Sequence, residues 1–236
     1  MSGSTPTATV EVDPPADACP ARGPQRADAR RNRERVLRAA REVFAEEGVE
    51  GSVAEIARRA EVGAGTIFRN FPTKRDLLLA ALEDSLGEIS EAFDAAEAVE
   101  DPWDAFVVMF AGTAEVQARN RAFYDALGPE LFREPRLQEL HAARHVRTEA
   151  LVLRAQEAGV LREDLRAEDL PFLLTAVGAT GEKCAGGAPL PEDLWRRYLG
   201  MVLDGLRPAG ASPLDPPAPT FAQLTDGCLR PPVDEG

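Results

Sequence analysis

Residues 52–74 read SVAEIARRAEVGAGTIFRNFPTK. This stretch constrains the fold more than any other part of the chain. It parses as a short helix, a tight turn, a second helix and a stop, which is the layout of a helix-turn-helix, a device that places its second helix in the DNA major groove. Ser52 is a good helix N-cap and Glu55 stands three residues on, so the pair matches a capping box. Val53, Ile56, Ala57 and Ala60 then recur at helical spacing and give one apolar face. Residues 61–63 form the expected turn, with Val62 as its buried plug and Gly63 as the cap of the second helix. That helix is expected over 64–70, with Ile67 and Phe71 inward. Pro72 ends it, because the residue before a proline disfavours helical geometry. Thr73 caps the next helix, helped by Asp76. Upstream, Val36, Leu37, Ala40, Val43 and Phe44 form the stripe of a helix over 28–47, stopped by Gly48.

With these three helices in place the chain resembles the TetR family of one-component bacterial repressors. The residues that carry the resemblance are Val36-Leu37, Ala39-Ala40, Val43-Phe44, Gly48, Ser52-Val53, Ile56-Ala57, Ala60 and Val62. They continue with Gly65-Thr66-Ile67-Phe68, Phe71-Pro72, Lys74 and Leu77-Leu78. The match spans about residues 29–80 and is specific by its combined spacing. The resemblance implies an all-α chain, with a three-helix DNA-binding head and a larger helical body that binds a ligand and dimerises. Three positions depart from the family pattern. Glu61 stands where a turn glycine is usual, which strains it if φ there is positive. Gly63 replaces a serine cap, and Phe68 replaces a tyrosine.

The charge pattern fits a DNA-binding head. The chain carries −13 overall, which excludes a general nucleic-acid coat. Residues 21–75 hold 13 Arg and Lys against 8 Asp and Glu, about +5, leaving 14 against 32 elsewhere. A basic head on an acidic body binds DNA at one end and is repelled elsewhere. The expected DNA-binding residues are Ser52, Gly63, Ala64, Gly65, Thr66, Phe68, Arg69, Asn70 and Lys74. Thr66 reads a base edge or a thymine methyl. Arg69 grips guanine or clamps a phosphate. Phe68 is either core or a flat wedge on the sugar-phosphate backbone. Lys74 anchors the backbone at a helix N-terminus. For Ser52 the cap is the simpler role, with a phosphate contact beside it.

Beyond the head, residues 73–99 read as a long helix, and Asp101-Pro102 starts another with Trp103, Phe106, Val107, Phe110 and Ala114 inward. Residues 120–127 read as a separate short helix, followed by helices over 135–158, 167–184 and 192–206. Aromatic and Met positions at helical spacing, including Phe172, read as core or as a pocket, since ligand pockets are mostly apolar. The candidate pocket residues are Phe106, Met109, Phe110, Phe123, Tyr124, Phe132, Leu173 and Val177. By the resemblance, the last two helices pair with their twins in a four-helix dimer bundle, where Ala176, Gly178 and Ala179 allow close packing. Residues 1–27 are an aperiodic Pro/Ala/Thr/Ser arm and 208–236 a Pro-rich tail, both expected to be disordered. The divisions are thus 1–27, 28–75, 76–207 and 208–236. Residues 22–35 are Arg-rich, a solvated helix entry or an arm for the minor groove.

No catalytic constellation, cofactor motif or phosphate loop stands out, so no enzyme and no cofactor are expected. His141 and His145, in HAARH, have the histidine spacing of a zinc protease, but Ala142 stands where the general-base glutamate belongs and no third ligand follows in sequence. No metal is therefore expected, and a metal-dependent enzyme is a remote alternative. Cys19, Cys184 and Cys228 have no zinc or redox spacing and read as free thiols in a reducing cytoplasm. Neither a signal peptide nor a run of ~20 apolar residues is present, so no membrane is expected as a partner. The expected partners are a palindromic double-stranded DNA operator, a small-molecule effector that releases the repressor, and a second copy of the chain. An activator of the same fold is the alternative.

Overall fold

A computed structural model of the chain describes residues 23–128, 131–178, 191 and 193–227. The described residues form helices and connecting turns, with no strand among them. In chain order the helices are α1 (Gly23–Glu47), α2 (Val53–Arg59), α3 (Ala64–Asn70), α4 (Lys74–Glu97), α5 (Pro102–Ala126), α6 (Pro135–Glu157), α7 (Leu170–Gly178), α8 (Leu194–Gly205) and α9 (Phe221–Gly227). Short 3-10 turns, Leu131–Arg133 and Ala167–Asp169, precede α6 and α7. No helix among the described residues is long and apolar enough to cross a membrane.

Local chemistry sets most of the helix ends. The Asp76 N–H donates to Thr73 Oγ1, and the Thr73 N–H donates to Asp76 Oδ2, closing a capping box at the start of α4. Asp101 caps α5 and Pro102 occupies its first turn, where a missing N–H costs nothing. Gly48 and Gly159 adopt positive φ just past α1 and α6, as helix-stopping glycines do.

The core runs continuously from head to body. Val36, Leu37, Val43 and Phe44 of α1 pack with Ile56, Ala57, Ile67 and Phe71 in the head. The Phe44 ring stacks on Phe123 of α5 at 6.5 Å between centroids, so one aromatic pair joins the two halves. An ion-pair cluster reinforces the joint: Arg41 of α1 bonds Asp84 at 2.8 Å and Glu88 at 2.9 Å, both on α4. The most extensive helix–helix contact is α4 against α5. Gly112 permits it, because a Cβ there would lie 2.6 Å from Ala92 Cβ.

Three expectations change. Residues 120–127 are not a separate helix but the last turns of a continuous α5. The buried Asn120 amide donates to the Val116 carbonyl at 2.9 Å and so stays within the helix instead of breaking it. The α1 helix begins at Gly23, inside the expected arm. Finally, the proline-rich segment after α8 is held in place. Arg162 donates to the carbonyls of Gly205 and Ser212 and pairs with Asp164, whose carboxylate accepts from the Leu214 N–H at 2.9 Å. These partners lie about fifty residues upstream of the tail, beyond the reach of any local pattern. The end of the 167–184 helix with Ala179, the three cysteines, residues 1–22 and residues 228–236 lie outside the described residues.

Candidate functional site

The recognition unit is built as α2, turn, α3. Ser52 caps α2, but its partners differ from the expected box. Its Oγ accepts from the Ala54 N–H at 3.2 Å, and its own N–H donates to Glu47 Oε2 of α1 at 3.3 Å. Glu55 is occupied by arginines, with Arg58 Nε at 2.8 Å and Arg59 Nε at 2.7 Å. Charge-assisted pairs of this kind outcompete a neutral N–H. They hold the Glu55 carboxyl down at about 2. Arg59 also grips Glu46, which fastens α2 to α1.

The turn follows a Schellman arrangement. The Glu61 N–H donates to the Arg58 carbonyl, and the Val62 N–H to the Ala57 carbonyl at 3.0 Å. This closure requires a left-handed residue at position 61, and Glu61 has φ +54°. The strain expected from the missing glycine is therefore present. Val62 is only half-buried, although it does pack on the core. Glu61→Gly should raise the unfolding free energy by about 0.5–1 kcal/mol, the left-handed penalty less the extra chain entropy of glycine. Urea titration would read this as a later midpoint with an unchanged slope. A lower midpoint would mean that the exposed Arg35–Glu61 pair, at 3.4 Å, outweighs the strain.

On α3, Gly63 supplies an extended N-cap with no side-chain bond. Ile67 and Phe71 are buried, while Ala64, Gly65, Phe68, Arg69 and Asn70 are exposed and Thr66 is half-buried. Phe68 is 49 % exposed, which removes it from the core. Arg69 folds back along its helix, its Nε on the Gly65 carbonyl and its Nη2 on Thr66 Oγ1, both at 3.2 Å. Asn70 Nδ2 donates to the Thr66 carbonyl at 2.8 Å. Lys74 opens α4 beside α3, with its Nζ 3.6 Å from the fully exposed Glu50 carboxylate. Five of the six named residues of α3 are thus exposed and Thr66 is half-buried among them, with Ser52 exposed at the start of the preceding helix.

The candidate pocket residues are placed differently. Phe106, Met109, Phe110, Phe123 and Val177 are buried and belong to the packed core, and the Phe106 and Phe110 rings stack at 5.7 Å. Tyr124, Phe132 and Leu173 are half-buried against it. None of them lines the open clefts among α1, α4 and α6, whose walls are mostly charged. A polar group inside the body was not anticipated. Ser85 of α4 is fully buried and lies 2.5 Å from the Tyr124 hydroxyl. Arg144 of α6 bonds His141 Nδ1 and is electrostatically coupled to Tyr124. Burial pushes the Tyr124 hydroxyl up and pushes His141 down to about 4, with Arg144 adding to the latter. Arg144 has no carboxylate partner among the described residues, and burial disfavours its charge. The available signal was Ser85, a hydroxyl at helical spacing among Leu78, Leu82 and Ile89.

The apolar residues Phe172 of α7 (57 % exposed) and Met201 of α8 (63 % exposed) lie on the surface, and Tyr198, three residues before Met201 on α8, is exposed too. Phe172, read as part of the core stripe, is therefore outside the core.

Known proteins share this arrangement. The family described as bacterial regulatory proteins, tetR family, matches residues 36–81, and the SbtR-like transcriptional regulator C-terminal domain matches residues 101–208. The HTH-type transcriptional regulator TcmR of Streptomyces glaucescens is 31 % identical over 198 residues, 82 % of this chain and 78 % of that one. Among solved structures, the TetR transcription regulatory protein from Mycobacterium vanbaalenii aligns with TM-score 0.57 and 34 % identity, covering 78 % of this chain and 99 % of that one. The TetR regulator SCO0520 from Streptomyces coelicolor aligns with TM-score 0.58 and 29 % identity, covering 75 % and 99 %. With a basic helix-turn-helix head, an all-helical body and relatives along both, this chain belongs to the TetR family of transcriptional regulators.

Proposed function

We propose that the chain is a ligand-responsive repressor that binds a palindromic operator as a homodimer and is released by a small molecule. The observation that carries the DNA-reading half is the exposed face of α3, where Ala64, Gly65, Thr66, Phe68 and Arg69 stand clear of the core that Ile67 and Phe71 enter. Thr66 and Arg69 read bases, Phe68 packs on sugar, and Lys74 with Ser52 fixes the backbone. Arg69 must leave Thr66 to reach a base, so the two act as a pair. Exposed Phe172 and Met201 on α7 and α8 support a second copy docking there.

The polar group around Arg144 supports the effector half. Arg144 is half-buried, and an arginine withdrawn from water keeps its charge and is stabilised by a counter-charge. An acidic group on the effector would supply the one that Arg144 lacks, with Tyr124 and Ser85 completing its hydrogen bonds. Release by neutral molecules alone would remove this part of the reading. The Arg41–Asp84–Glu88 cluster and the Phe44–Phe123 pair then couple the body to the head. An effector that prefers the released geometry lowers DNA affinity by the ratio of its affinities for the two states.

The experiment is selection from a random duplex library at fixed, near-physiological salt, with Thr66→Ala and Lys74→Ala beside the parent chain. An enriched palindrome with half-sites about 34–36 Å apart is the expected result. Thr66→Ala should relax the preference at one position of each half-site. Lys74→Ala should weaken all duplexes alike and lower the salt slope by about 1. A single enriched half-site would remove the dimer from the reading. No enrichment from a folded protein, with or without acidic ligands, would overturn it.

A further inference from the structure

The two histidines of HAARH lie in different surroundings. His141 turns onto Arg144. His145 faces Glu149, one turn further along α6, and Glu168, in the 3-10 turn just before α7. Its Nε2 is 3.8 Å from Glu149 Oε1 and 3.5 Å from Glu168 Oε1. One ligand atom from each of the three side chains lies within 4.8 Å of the others. Among the described residues, neither glutamate has an arginine or lysine partner, whereas Glu46, Glu55, Glu83, Glu88, Glu97 and Glu115 all do. The Glu168 and His145 side chains are each only 15 % exposed, and the Phe221 ring of α9 stacks on the imidazole at 4.2 Å.

Two carboxylates this close together, Glu168 half-buried and Glu149 exposed, repel, and a cation between them relieves that repulsion. A charged N–H···O bond is about 2.7–2.9 Å long, and no hydrogen bond joins His145 to either glutamate. A tetrahedral zinc ion with bonds near 2.0–2.2 Å holds its ligand atoms about 3.4 Å apart. The separations from His145 need to close by only a few tenths of an ångström to meet that edge. One nitrogen and two carboxylate oxygens suit a borderline divalent ion and leave a position open for water or ligand.

From this geometry we propose that His145, Glu149 and Glu168 form a binding site for a divalent first-row transition cation, with Zn2+ the best match. The cation ties the middle of α6 to the start of α7, the helix that carries exposed Phe172, under a roof supplied by α9. The site stands independently of the DNA-binding reading. The histidine pair suggested by the HAARH spacing is not the ligand pair; the helical ligands are His145 and Glu149.

The test uses the full chain, stripped with EDTA and dialysed, then titrated with Zn2+ against a chromogenic chelator and with Co2+ for its visible spectrum. One equivalent should bind, without sulfur-to-cobalt charge transfer. A variant with Cys19, Cys184 and Cys228 all changed to Ser should bind equally well. His145→Gln and Glu168→Gln should each lose about tenfold or more in affinity, while His141→Gln keeps the parent affinity. Far-ultraviolet circular dichroism checks that each variant is folded. Binding lost in the cysteine variant, or unchanged in His145→Gln, overturns the proposal.

Discussion

Phe44→Ala should lower the unfolding free energy by about 3–5 kcal/mol, the usual loss for a phenylalanine deleted from a packed core. Phe44 is fully buried on α1 and stacks on Phe123 of α5, so the cavity opens at the joint between head and body. The loss is read from urea unfolding at fixed protomer concentration, because association adds to apparent stability. Phe68→Ala is the matched control. Its ring is 49 % exposed on α3, so stability should move by no more than about 0.5 kcal/mol. Operator affinity should nevertheless fall. A loss below about 1 kcal/mol for Phe44→Ala would mean that head and body do not share a core.

Acid should weaken the fold in two separable stages, and His141 controls the first. Its folded pKa is about 4 against an ordinary 6.5, lowered by burial and by Arg144. Between these values the unfolded chain holds a proton that the folded one refuses. Stability from this group is therefore full above pH 6.5 and falls as pH drops from 6.5 toward 4. The total loss is on the order of 2–3 kcal/mol. His141→Gln, which keeps an acceptor for Arg144, should flatten the slope in that window. A persistent slope would show that the imidazole is solvated. The second stage belongs to carboxylates paired with arginines, Glu46, Asp164 and Glu55, the last held at about 2 by Arg58 and Arg59 from an ordinary 4.5. The Glu55 stabilisation is present above pH 4.5 and disappears as pH falls toward 2, so His141→Gln leaves it intact.

The head was largely legible because its signals are local. Thr73 and Asp76 close their box within one turn, Pro72 and Gly48 stop helices by their own backbone geometry, and Ile67 and Phe71 turn inward at helical spacing. The outward group on α3 follows from the same period. The strain at Glu61 was legible too, as a departure from a turn that needs positive φ.

What spacing could not convey is which partner a side chain chooses when several compete. Glu55 was positioned to cap Ser52, but Arg58 and Arg59 bind it more strongly and Glu47 of another helix takes the cap. An aromatic stripe reads alike whether it lines a pocket or fills a core, and the close approach of α4 and α5 at Gly112 goes with the filled core. Phe172 has the same periodicity and lies outside. Arg162 holds a tail about fifty residues away, and Glu168 meets His145 only because the 3-10 turn before α7 packs on α6. Sequence by itself determined the helical class, the helix-turn-helix and the inward turn of Ile67 and Phe71, since hydrogen-bond geometry and periodicity act within a turn or two. Tertiary structure alone decided the buried polar group, the anchored tail and the His145 cluster. Those depend on distances between elements that are set by packing, not by position along the chain.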